Sequence, residues 1–121
     1  MKKNNFLNNG MIDLAQPRLG SKIVYKTDDF FGPAERLISS GEPIWKEGIY
    51  DENGKWMDGW ETRRRRNKEH DYLILHLGKE GSISKINIDT TFFNGNQPQF
   101  ASIEGCNFDN IIPNSKTKWK L

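Results

Sequence analysis

Tyr72-Leu73-Ile74-Leu75-His76-Leu77, Gly78-Lys79-Glu80-Gly81 and Ile83-Ser84-Lys85-Ile86-Asn87-Ile88-Asp89-Thr90 are the runs on which the reading of the fold turns. The first is nearly unbroken in its apolarity, which predicts a strand covered on both faces. The second, bounded by two glycines, reads as a reverse turn. In the third, Ile86 and Ile88 fall on one face and Asn87 and Asp89 on the other, the period of two of a strand. Together they predict an antiparallel hairpin.

Working outward, Lys22-Ile23-Val24-Tyr25 is a short strand by its β-branched and aromatic content. Thr27 to Gly32 turn into a short helix, with Pro33 at its first position, about two turns over Ala34 to Ser40, and Gly41 as a left-handed stop. Asp51-Glu52-Asn53-Gly54 is a turn. Trp56 to His70 shows neither strand nor helix period and reads as a long structured loop. On the far side, Asn94 to Pro98 is a turn and Gln99 to Glu104 a third strand. Residues 1–21, polar with scattered apolar positions from Phe6 to Leu14, read as an N-terminal arm; residues 22–121 read as the domain. Several short strands and one short helix predict an all-β fold, an antiparallel β-sandwich. The ending Lys118-Trp119-Lys120-Leu121 carries no stop signal, so the sandwich is expected to be incomplete at its C-terminus or completed by a partner.

The 121 residues bound one domain. Mean hydropathy is −0.79, and no apolar run approaches the roughly 20 residues of a membrane-spanning helix. Met1-Lys2-Lys3 begins like a secretory leader, but Asn4, Asn5, Asn8 and Asn9 break its apolar stretch. A single cysteine, Cys106, excludes an internal disulfide and a cysteine metal cluster. A cytoplasmic location is expected. Net charge is only +2, and the basic surplus is concentrated in Arg63-Arg64-Arg65-Arg66-Asn67-Lys68, a local loop feature.

The predicted hairpin would open the loops before and after it at one end of the sheet. That end would gather Asp58, Glu61, the four arginines, His70, Asp71, Asp89, Thr90, Asn94 and Asn96. Polar density on loops held by a rigid scaffold is where sites tend to lie. The arginine run reads in three ways. It is a clamp for an anionic ligand, a solvated turn balanced by Glu61, Glu69 and Asp71, or a nucleic-acid contact with Trp56, Trp60 and Tyr72 as stacking partners. The near-neutral remainder of the chain speaks against nucleic acid. His70 and Asp71 read as an acid–base pair or as a capping histidine; neighbours on a strand face opposite ways, which opposes a dyad. His76 reads as a packing residue. Asp28-Asp29 reads as charge at a helix N-terminus, and Trp56 and Trp60 as pins between loop and core. A divalent metal is possible on His70, Asp71, Asp89 and Glu61, but no recognised ligand spacing is present.

The run Trp56-Met57-Asp58-Gly59-Trp60-Glu61-Thr62 with the four arginines, followed by His70-Asp71, resembles the central signature of the allantoicase family. Asp13-Leu14-Ala15 with Arg18-Leu19-Gly20 resembles the family's opening. Thr27 to Glu35 resembles its next block. Leu77-Gly78, Gly81, Ile83, Asp89-Thr90, Phe93, Gly95-Asn96 and Pro98 resemble a third. Tyr72 stands where a tryptophan is expected. The resemblance implies a hydrolase of purine degradation that converts allantoate and water to ureidoglycolate and urea. It also implies a repeated galactose-binding-like jelly-roll fold, of which this chain would hold part of the first repeat. A non-catalytic ligand-binding module of that fold, or a module for subunit association, is the alternative. Association into a homo-oligomer, or with further domains, is expected; membrane and nucleic-acid partners are not.

Allantoate bears a carboxylate and two ureido groups on one carbon, and releasing urea breaks the bond from that carbon to a ureido nitrogen. An acid must protonate that nitrogen and a base must activate water. Glu61 and His70 are the candidates for proton transfer. Arg63 and Arg64 are candidates for the carboxylate and ureido oxygens, and Asp89 and Asn96 for the ureido N–H groups.

Overall fold

The structure, a computed structural model, describes residues 10–107, 113 and 117–121. Four strands are present among them: β1 (Lys22–Lys26), β2 (Tyr50–Asp51), β3 (Gly54–Lys55) and β4 (Leu73–His76). Two 3₁₀ turns, Pro17–Leu19 and Ala34–Ile38, complete the regular structure. The described chain is therefore mostly non-helical, with small antiparallel sheets.

β4 is the apolar run identified from sequence, but its partner is β1 and not the segment that follows it. The two strands pair antiparallel, with Lys22 opposite His76, Ile23 opposite Leu75, Tyr25 opposite Ile74 and Lys26 opposite Leu73. The register slips between Ile23 and Tyr25, a bulge that leaves Val24 without a partner and sharpens the local twist. All four β4 residues are half-buried rather than covered on both faces.

Hydrogen bonds at both ends select this pairing. At one end Thr27 N–H donates to Tyr72 O (3.0 Å). Thr27 Oγ1 accepts from Tyr72 N–H (3.1 Å) and donates to Asp71 Oδ1 (2.7 Å). Tyr25 and Tyr72 stack beside them, ring centroids 5.5 Å apart. At the other end the buried Ser21 donates through Oγ to Leu14 O (2.6 Å) and accepts from Gly78 N–H (2.9 Å). Gly78 lies so close to Leu19 and Gly20 that a Cβ there would collide with the Leu19 carbonyl. Residues 14–21 are thus stitched to the exit of β4. The earlier part of the expected N-terminal arm, residues 1–9, lies outside the described residues.

The expected strands Ile83–Thr90 and Gln99–Glu104 do not form. A strand needs a neighbour for its backbone N–H and C=O groups, and among the described residues no backbone ladder joins either run to a partner. Ile83, Ile86 and Ile88 are accordingly 60%, 54% and 51% exposed. The predicted 72–90 hairpin is therefore absent, and with it the juxtaposition of Asp71 and Asp89. Near the end of the chain, Gly105 and Lys120 exchange two backbone hydrogen bonds in an isolated bridge.

The helix expected over Ala34–Ser40 is a 3₁₀ segment that stops at Ile38. Pro33 is its N-cap residue, outside the first helical position, and Ser39 its C-cap, although Gly41 does adopt the left-handed conformation (φ +97°). Five residues offer too few hydrogen bonds to offset helix nucleation. Asp29 Oδ2 accepts from Ala34 N–H (3.1 Å), which secures the segment's start. Among the described residues, Ala34, Ile38 and Met57 are the buried apolar side chains. Arg36 closes over them: its Nη1 donates to Asp51 Oδ2 (2.7 Å) and to Met57 O (2.9 Å), and its guanidinium lies 4.2 Å from the Trp56 ring centre.

Ser21→Ala removes the donor to Leu14 and leaves the Gly78 N–H unpaired. It is expected to destabilise the chain by about 1–3 kcal/mol, read as a lower urea midpoint with an unchanged denaturant slope.

Candidate active site

The loop from Trp56 to His70 is extended and is laid against residues 27–36. Gly32 and Glu61 form an antiparallel bridge. Gly32 N–H donates to Glu61 O (3.0 Å) and Glu61 N–H donates to Gly32 O (3.1 Å). Only glycine fits at position 32, because a Cβ there would lie 2.5 Å from Gly59 O and 3.1 Å from Glu61 Cβ. Trp60 Nε1 donates to Asp28 O (2.7 Å) and Trp56 Nε1 to Ile44 O (3.0 Å), so both indoles pin the loop in place.

This bridge sets the half-buried Glu61 at a depression of about 310 Å³ lined by Phe31, Gly54, Lys55, Met57, Glu61 and Asn96. Asn96 Nδ2 donates to Glu61 Oε1 (3.5 Å). Burial beside Phe31 and Met57 disfavours the ionised carboxylate and raises the Glu61 pKa, and the weak Asn96 hydrogen bond only partly opposes this. The depression therefore holds a carboxyl group biased towards its protonated form, with an amide beside it. Lys55 lies on its rim, with its ammonium 4.9 Å from the Trp45 ring centre.

The arginines divide. Arg63 is bound by Asp28: Nε and Nη2 donate to Oδ1 (3.0 and 2.7 Å), and its backbone N–H donates to Oδ2 (2.6 Å). The Asp28 side chain is 14% exposed against 64% for Arg63, so the carboxylate is the buried member. Burial alone would raise the Asp28 pKa, but the donors from Arg63, helped by Phe30 N–H, outweigh it and hold the carboxyl below its ordinary value. Arg65 donates to Asp71 Oδ1 (2.8 Å) and to Glu69 Oε2 (3.2 Å). Its hydrogen bond, with a smaller contribution from Thr27, lowers the Asp71 pKa against the opposing effect of burial. Arg64 is exposed.

The structure thus brings together two of the residues selected from sequence, Glu61 and Asn96. His70 is exposed, and its ring centre lies 6.2 Å from that of Tyr72. It forms no dyad with Asp71, whose carboxylate is engaged by Thr27 and Arg65. Asp89 accepts from the backbone and side chain of Thr91. His70, Asp71, Asp89 and Glu61 do not converge: among the described residues no three His, Cys, Asp or Glu side chains are grouped so as to hold a metal ion. No helix among them is long and apolar enough to cross a membrane. Sequence reasoning overlooked Phe31, Lys55 and Met57. The signal available for Lys55 was its place directly after the Asn53-Gly54 turn, at the entry to the Trp56–His70 loop.

A family model described as Allantoicase repeat matches residues 12–121. The chain belongs to the allantoicase family. It is 49% identical over 108 residues to a probable allantoicase of Pseudomonas aeruginosa, covering 89% of this chain and 32% of that protein. A probable allantoicase of Photobacterium profundum is 45% identical over 109 residues, 90% of this chain and 33% of that protein. Among solved structures, the allantoicase of Saccharomyces cerevisiae matches with a TM-score of 0.67 at 31% identity, over 89% of this chain and 33% of that one. The chain spans about a third of the length of the curated relatives it matches.

The carboxyl shifts set opposite pH dependences in this allantoicase-family chain. Asp28 and Asp71 have folded pKa values below their ordinary 3.8, so the stability they contribute is present above that pH and lost as pH falls through the depressed values. Glu61 has a folded value above 4.5. Its contribution is present below that pH and lost as pH rises through the raised value. Urea midpoints measured from about pH 2 to 8 should fall steeply at the acid end, and Asp71→Asn should flatten that fall. Glu61→Gln should leave the acid limb in place and remove the smaller decline above pH 4.5.

Proposed function

We propose that this chain carries an acid–amide site for the hydrolysis of allantoate to ureidoglycolate and urea, within a galactose-binding-like jelly-roll sandwich. The observation that carries the reading is Glu61, a desolvated carboxyl hydrogen-bonded to Asn96 at a depression, in a chain of the allantoicase family. The relatives bear the name allantoicase. All-β character and family membership support the jelly-roll.

Hydrolysis adds the water oxygen to the central carbon of allantoate and breaks that carbon's bond to one ureido nitrogen. One water proton must end on that nitrogen so that urea leaves neutral. A carboxyl whose pKa is raised by burial suits the donor's part better than a fully solvated one. Glu61 gives its proton to the departing nitrogen, and the carboxylate left behind takes one from the attacking water. Asn96 offers an amide to a ureido group and holds Glu61 in place. Arg64, His70 and Asp89 stay candidates for further substrate contacts outside the depression. Arg63 contributes through its bond to Asp28, which fixes the loop two residues after Glu61.

A cytoplasmic location belongs to the same reading, supported by the lone Cys106. Association between copies does too, since Ile83, Ile86 and Ile88 are each more than half exposed.

Purified chain, shown to unfold cooperatively, is expected to release urea from allantoate. Glu61→Gln should lower that rate by about 100-fold or more, the usual reach of general acid catalysis, with no loss of folded structure. A folded wild-type chain that neither binds nor cleaves allantoate would overturn the assignment.

A further inference from the structure

The depression at Glu61 needs something the arginine run does not provide. Allantoate is a monoanion, and a carboxylate entering a partly apolar depression requires a cation there. Arg63, the first arginine after Glu61, has both the Nε and Nη2 edges of its fork on Asp28. Drawing it away would strand a carboxylate that is only 14% exposed, and removing the partner of a buried charge is unfavourable. Arg65 is divided between Asp71 and Glu69. Neither arginine lines the depression.

Lys55 does. It is the one cation among the six lining residues. Among the described residues it forms no ion pair with any carboxylate, and its charge is held instead over the Trp45 ring. A cation–π contact of this kind orients an ammonium without neutralising it, so its N–H groups stay available to an anion. Position adds to this: Lys55 pairs with Tyr50 across the two-residue β2–β3 hairpin, a support firmer than a free loop. The lining residues thus present a cation and a carboxyl that are not paired with each other. That arrangement fits a ligand with a carboxylate at one end and a group awaiting a proton at the other.

We infer that Lys55 receives the substrate's carboxylate at the Glu61–Asn96 depression, a binding role that rests on reading that depression as the allantoate site. Arg63 then serves the architecture, and Lys55 sets the preference for an anionic ureido compound over a neutral one.

The test compares two ligands. Allantoate carries the carboxylate; methylenediurea has the same two ureido groups on one carbon and no carboxylate. Both are titrated into the full chain while the Asn96 side-chain amide is followed by NMR. Wild type should prefer allantoate. Lys55→Gln should weaken allantoate binding by about 10- to 100-fold, the range of one charge-assisted contact, and leave methylenediurea binding unchanged. Lys55→Arg should restore most of the preference. Position 55 is exposed, so these variants should keep the wild-type urea midpoint, which is measured alongside. If Lys55→Gln binds allantoate as wild type does, or weakens both ligands equally, the inference is overturned while the site stands. The same holds if Arg63→Gln alone loses the preference for the anion. If wild type binds neither ligand, the reading of the depression falls and the role of Lys55 falls with it.

Discussion

Gly32 and Glu61 exchange backbone hydrogen bonds, and the placing of the site depends on how close those two backbones come. The contact is possible because position 32 has no side chain. It is one of a series that lays residues 27–36 along residues 57–72. Thr27 grips Asp71 and Tyr72, Asp28 grips Arg63, and Arg36 grips Met57. Antiparallel backbone bonds are directional and the flanking pairs are charged or desolvated, so the series holds one register. Sliding by a single residue would turn Glu61 away from Phe31 and Met57 and return its carboxyl to water.

This arrangement explains why four consecutive arginines do not make four equivalent anion ligands. Arg63 and Arg65 are used to hold the loop, each facing an aspartate whose carboxyl is kept ionised in return. Asp28, Glu69 and Asp71 are satisfied by Arg63 and Arg65, while Arg64, Arg66 and Lys68 form no ion pair among the described residues and line no part of the depression. At the depression itself stand a carboxyl and a lysine that form no ion pair among the described residues. Chemistry on a small anionic substrate needs groups in that unspent state, since a fully paired charge has little left to offer a ligand.

Legibility of the fold followed the range of the forces involved. The apolar run at 72–77 is a strand because its propensity is local and strong. Its partner was misread because partner choice is settled elsewhere, by Thr27 and Ser21 at the two ends of β1. Ile83–Thr90 has the right alternation, yet alternation makes a strand only where a neighbouring backbone accepts it. The short helix was legible in place and not in type, because five residues do not offset α-helix nucleation. In the site, Glu61 could be picked out within the tryptophan-rich signature and Asn96 in the loop after the expected hairpin. The reason given for their meeting, convergence at the end of a 72–90 hairpin, did not hold. They meet because the Gly32 bridge turns Glu61 inward and the turn at residues 94–96 brings Asn96 to it.

Sequence by itself determined the inventory: the ordered motifs that place the chain in its family, the apolar run that becomes β4, and the absence of any stretch suited to cross a membrane as a helix. Each is a property of residue types and their spacing, which no contact can alter. Only the tertiary structure decided which arginines are occupied, which carboxyl is pushed towards its protonated form, and which segment pairs with β4. Those outcomes rest on contacts between residues far apart in the chain, and on desolvation, which exists only once other atoms have displaced the water.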